Sequence, residues 1–177
     1  MPNWCEGSLR IRGKYDDVIR FFKEGINAYT RDIKTGDMVK VDREKWFELE
    51  KESDNYTYVN LDNLNYNHES IYIEDTKRAF VNEESDFNSS ITISTHDGIS
   101  TTAFAIKQAW GFEEDDWTDI SLKYHLELKL YGIEAGMGFF EDMYIKDGKV
   151  VSDNSYGSLN GSYDDFIWNC PFPWMGG

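Results

Sequence analysis

The sequence predicts an α+β fold: a ferredoxin-like split βαβ sheet with two helices on one face, an inserted helix and loop, and an aromatic C-terminal tail. Three observations predict it. Apolar and polar residues alternate at Leu9–Ile11, Ile71–Ile73, Ile91–Ile93 and, over the longest run, Leu122–Leu130. Apolar residues recur at helical spacing after the first of these strands and again before the last. Aromatics make up 16% of the 177 residues, enough large apolar surface for one core without disulfide or metal.

Taken in order, Leu9 and Ile11 alternate with Arg10 and Arg12, and Gly13 ends the strand. Tyr15, Val18, Ile19, Phe22 and Ile26 then share a helical face. Asp16 and Asp17 occupy the first turn, where the helix dipole favours acids, and Gly25 terminates it. Residues 27–70 are too many for a connection and read as an insertion. Within it Asp42 stands as an N-cap, bracketed by the staple Val41–Trp46, ahead of a helix over 43–51 and a polar run from Asp54 to Asn67.

Glu83–Asp86 is an acidic turn between the strands at 71–73 and 91–93, and His96–Asp97–Gly98 is another turn. Ser100 caps a second helix that carries Phe104, Ile106, Ala109 and Trp110 and closes at Gly111. In the longest strand Leu122, Tyr124, Leu126, Leu128 and Leu130 face the core, while Lys123, His125, Glu127 and Lys129 face water. A last hairpin, Met137–Val151, turns at Asp147–Gly148 in type I′. Residues 1–177 thus form a single domain, with 152–177 as a tail packing on it. The tail's Phe166, Trp168, Cys170, Phe172 and Trp174 either seal the sheet or offer a partner an aromatic patch.

The formal charge is −15, and nearly all of it lies beyond residue 60. Such a field attracts a basic partner and opposes direct binding to phosphate backbones, or else serves solubility alone. No stretch offers the ~20 apolar residues of a bilayer span. The start, MPNWCEGSLRIRG, lacks the layout of a secretory signal. The expected compartment is therefore the cytoplasm. There Cys5 and Cys170 stay reduced and buried rather than bridged, and the sequons at Asn55, Asn88 and Asn160 stay silent.

Motifs for chemistry are sparse. His68, His96 and His125 show no metal-ligand spacing, and no nucleotide-binding glycine pattern or nucleophile elbow occurs. His125 and Glu127 share a strand face, as an acid–base pair or as plain surface charge. Glu134, Glu141 and Asp142 flank glycine-rich strand ends in the manner of a Mg²⁺ nuclease, yet few cations accompany them to hold a phosphate. The reading is non-enzymatic: no catalytic residue, no metal and no cofactor.

The start MPNWC, followed by a strand with Leu9, Ile11 and Gly13, resembles the YubB-type ferredoxin-like proteins of phages and plasmids. Trp110–Gly111 and the segment GIEAGMGFFEDMYIKDGKV are further points of likeness. The resemblance implies a mobile-element origin and a ferredoxin-like fold, and no catalytic residues. It covers the sheet and helices; the 27–70 segment and the tail depart from it.

Acidic clusters carry the functional expectation. Glu113, Glu114, Asp115, Asp116 and Asp119 surround Trp117; Glu83, Glu84 and Asp86 form a second group, and Asp164 and Asp165 a third. Carboxylates fixed on a rigid sheet can imitate the charge spacing of DNA. The expected partner is a basic, nucleic-acid-binding host protein, a CRISPR effector or a restriction nuclease, inhibited by this mimicry. The alternatives are an accessory protein without inhibitory role and, third, the carboxylate nuclease.

Overall fold

A computed structural model describes residues 3–61, 69–82 and 90–157. The first strand, β1 (Trp4–Lys14), buries Cys5, Gly7, Leu9 and Ile11 and exposes Arg10 and Arg12, as its alternation requires. It runs directly into α1 (Tyr15–Arg20), whose last turn widens into a π-helical turn over Phe21–Gly25. Asp16 and Asp17 occupy the first turn, and Val18, Ile19, Phe21 and Phe22 are buried.

Seven strands follow: β2 (Ile26–Arg31), β3 (Met38–Lys40), β4 (Glu48–Lys51), β5 (Tyr56–Asn60), β6 (Glu69–Ile73), β7 (Ala79–Val81) and β8 (Ser90–His96). The remainder is β9 (Ile99–Ala109), α2 (Glu114–Tyr124), β10 (Glu127–Glu134), β11 (Phe139–Lys146) and β12 (Lys149–Asp153). The fold is mixed α+β, and every strand pairing is antiparallel.

The sheet runs β12-β11-β10-β1-β9-β7-β6-β2-β3 and forks at β9. The first residues of β9 pair with β8, which continues through β5 to β4; its last residues pair with β7. Both helices pack on one face of the central strands: α1 against β1 and β9, α2 against β10 and β11. The Phe22 ring lies 5.6 Å from Phe104 across that interface. A single core joins Leu9, Phe22 and Leu130 to Trp46, Val59, Ile71 and Ile93 of the outlying strands. The opposite face of β1, β9, β10 and β11 carries no described helix.

Three expected elements differ. The expected second helix is strand β9, Ile99–Ala109, and Trp110 lies in the turn after it. Ser100, Thr102, Phe104, Ile106 and Gln108 are buried at period two, and eleven residues pair with β1, a ladder that outweighs any local helical preference. Ser100 does not cap a helix; its hydroxyl lies 2.8 Å from that of Thr95. The run 122–130 is not one strand. Trp117, Ile120, Ser121 and Tyr124 are buried at helical spacing, α2 ends at His125 in the left-handed region (φ 55°), and β10 begins only at Glu127. Leu122 is therefore exposed at 58%, whereas Leu126, Leu128 and Leu130 are buried.

The helix expected over 43–51 shrinks to one 3₁₀ turn, Arg43–Lys45, with no capping hydrogen bond from the Asp42 side chain, which pairs with Lys45 at 3.2 Å. Arg43 governs that turn instead, donating to the carbonyls of Phe22 (3.0 Å) and Ile26 (2.6 Å) and to Asn27 Oδ1 (2.7 Å). Trp46 is buried, and Glu48–Lys51 extends into β4. The hairpin turns agree with expectation: Asp97–Gly98 and Asp147–Gly148 all have positive φ, the geometry of type I′. The expected Glu83, Glu84, Asp86, Asp164 and Asp165, with His68 and the tail aromatics, lie outside the described residues. Among the described residues no helix is long and apolar enough to cross a membrane.

Candidate functional site

The acidic run after β9 divides by face when it folds into α2. Glu113, Glu114, Asp115 and Asp119 are exposed; Asp116 and Trp117 are not. Asp116 turns inward, where Oδ2 accepts the Lys77 backbone N–H (2.6 Å) and the Gln108 amide (3.2 Å). Gln108 Oε1 in turn accepts the Trp117 indole N–H at 2.9 Å. The Trp117 ring is fully buried, edge-on to Phe112 at 6.1 Å. The expected partner-binding role of Asp116 and Trp117 is thus corrected. Their hydrogen bonds run inward to Gln108 and the Lys77 backbone, and neither side chain is presented at the surface.

Among the described residues the exposed tryptophan is Trp110, seven residues earlier. It is 64% exposed and holds φ 73°, a conformation that a bulky residue adopts only when its surroundings impose it. Its backbone N–H donates to the Asn3 carbonyl at 2.9 Å, which ties this corner to the start of β1. Beyond it Glu113 meets Lys77 at 3.4 Å, an exposed pair of little energetic weight. The sequence held the signal, Trp-Gly at an element end, but reading β9 as a helix hid its exposure.

The other sequence candidates separate. Glu134 and Glu141 lie on the helix-covered face, and Asp142 projects to the opposite side, its Oδ2 accepting from Asn154 at 3.4 Å. Glu141 Oε2 accepts the Phe112 N–H (2.6 Å) and the Cys5 thiol (3.4 Å). Burial pushes the Glu141 carboxyl up to about 7, against the pull of those two donors. Burial, with the Glu141 charge beside it, also raises the Cys5 thiol far above its usual value, so it is an inert core group. Gly132 makes the corner possible: a Cβ there would stand 2.5 Å from the Phe112 ring and 2.6 Å from Cys5 Sγ. Glu134, 3% exposed, accepts the Met137 N–H. Among the described residues no three His, Cys, Asp or Glu side chains are placed to share a metal.

His125 and Glu127 do not form a pair. His125 ends α2, exposed, while Glu127 sits on the open sheet face and accepts from Arg12 Nε (3.1 Å), Tyr144 Oη (2.7 Å) and Lys146 Nζ (3.0 Å). Burial alone would raise the Glu127 carboxyl; the three donors overcome it and hold it at about 2. Around this group lies a groove of about 440 Å³ formed by β1, β9, β10 and β11. Arg10 and Arg12, visible in the sequence as the wet side of the first strand, form its walls with Lys129.

The described residues therefore offer two exposed sites on opposite sides of the central strands, an acidic corner with a tryptophan and a cationic groove. No family model matches the chain, and neither a curated protein nor a solved structure does.

Proposed function

We propose that this protein acts by binding, not catalysis, and that it inhibits a basic, nucleic-acid-binding host protein. A CRISPR effector or restriction nuclease in the bacterial cytoplasm fits that description. The contact surface is Trp110 with Glu113, Glu114, Asp115 and Asp119. One observation carries the reading: an exposed tryptophan held at positive φ stands directly before a row of exposed carboxylates. Tryptophan supplies desolvated contact area at interface centres, and the acids speed encounter with a cationic groove built for phosphates. Asp116 and Trp117 serve this surface indirectly by fixing α2 to β9.

The kernel supports a ferredoxin-like assignment. Strands β10-β1-β9-β8 are consecutive neighbours and antiparallel, with α1 following β1 and α2 joining β9 to β10. On this reading β2 to β7 are an elaboration between α1 and β8, and the resemblance to mobile-element proteins applies to the kernel.

The test is binding of the purified protein to a purified CRISPR effector and a restriction nuclease, each with and without competing duplex DNA. The expected result is salt-sensitive binding that DNA displaces. Trp110→Ala weakens it by about tenfold or more, and Glu113→Gln with Glu114→Gln, Asp115→Asn and Asp119→Asn slows association. Equal binding by the parent and both variants at low salt would remove the site from consideration.

A further inference from the structure

The open-face groove contains an arrangement that folding does not explain. Arg10 and Lys129 are direct cross-strand partners in the β1–β10 ladder, both exposed and both cationic. Like charges placed directly opposite on a sheet destabilise it. The chain has 33 acids against 18 bases, so carboxylates were abundant for either position. Arg10's neighbour on its other side is Ala103, and Arg10 makes no ion pair or side-chain hydrogen bond among the described residues. Among the described residues Lys129 has the Tyr144 ring beneath it, 5.4 Å from its ammonium, and no ion pair. Glu127 pairs with neither of them; its oxygens accept from Arg12, Lys146 and Tyr144 instead.

We propose that this groove binds a small phosphomonoester of nucleotide size, its phosphate seated between Arg10, Lys129 and Arg12. The volume of about 440 Å³ suits a ligand of that size. A dianionic phosphate accepts the forked donors of Arg10, the Arg12 guanidinium N–H groups that Glu127 leaves open and the point charge of the Lys129 ammonium together, which a single carboxylate does less completely. The Thr101 hydroxyl, on the strand neighbouring Arg12, supplies a neutral donor at the groove wall. Glu127 holds Arg12 and Tyr144 in place at the groove wall. The ligand repays the repulsion between Arg10 and Lys129, and the groove lies away from the acidic corner, so the two sites can be filled independently.

The experiment is calorimetric titration at low salt with adenosine 5′-monophosphate, adenosine and inorganic phosphate as separate probes. The nucleotide is expected to bind with a Kd below about 1 mM and adenosine not at all. Arg10→Gln with Lys129→Gln should lose about tenfold or more in affinity while melting at a higher temperature than the parent without ligand. That opposite pair of effects separates a binding site from a structural one, since a mere loss of fold would lower both. Failure of the nucleotide to bind, unchanged affinity in the double variant, or inorganic phosphate binding as tightly as the nucleotide would each overturn the assignment. Binding of a single-stranded oligonucleotide without binding of the mononucleotide would overturn it too.

Discussion

Glu141 shows how much one side chain's surroundings can decide. Its carboxyl lies in the corner made by Cys5, Phe112 and Gly132, and its pKa is raised to about 7. An acid whose folded pKa is raised holds its proton longer in the native state than in the unfolded one. Stability therefore falls as pH climbs from about 4.3 through 7 and stays lower above. Glu141→Gln keeps an oxygen to accept the Phe112 N–H but cannot ionise. At pH 8 the variant is expected to be more stable than the parent by about 1–3 kcal/mol, with no difference near pH 4.5. Urea unfolding at the two pH values checks this, and a less stable variant at pH 8 would show that the charge is compensated by a group the geometry does not reveal.

Among the elements, α2 and β10 carry the sharpest test. Leu122 and Leu126 would share a face on one continuous strand; across a helix end and a left-handed cap, only Leu126 reaches the core. Leu126→Ala should cost about 2–5 kcal/mol and Leu122→Ala less than about 0.5. Equal costs would restore the single strand. The sequence was legible wherever local pattern and tertiary pairing agreed, as at Leu9–Ile11, at Ile91–Ile93 and at both Asp-Gly turns. It misled where one pattern crossed a boundary. The alternation of Leu122 to Leu130 ran through the end of a helix, and the helical spacing read at 104–110 belonged to a strand fixed by eleven partners far away in the chain. The candidate site was half legible for the same reason. Charges identified the acidic corner, but which acids face outward depends on the helix, and Arg10 meeting Lys129 depends on a register that no local window contains.

At the scale of the whole molecule, charge sets the working range. The chain carries −15 at neutral pH and has a pI near 4.5, so self-repulsion eases as pH falls from 7 toward that point. Glu141 adds to that trend, gaining stability on the same descent. Glu127 opposes it lower down: its depressed carboxyl contributes stability above about 4.3 that is lost as pH falls toward 2. The melting temperature is expected to peak around pH 5 and decline on both sides. A flat profile from pH 5 to 8 would mean that neither the net charge nor Glu141 governs stability.

The fork at β9 has a kinetic meaning. One strand serves three neighbours, β1, β8 and β7, and only the β8 hairpin is local in the chain. The β1 ladder must bring together residues at least 85 positions apart, Lys14 and Ile99, before it gains anything, and topologies dominated by such pairings fold in about milliseconds to seconds, not microseconds. The amides that β9 pairs with β1 are then expected to exchange last, being shielded in the middle of the sheet, whereas the ends at β3 and β12 can open alone. The molecule thus has a slow centre and quick margins, and the groove beside Arg10 is built on the slow part.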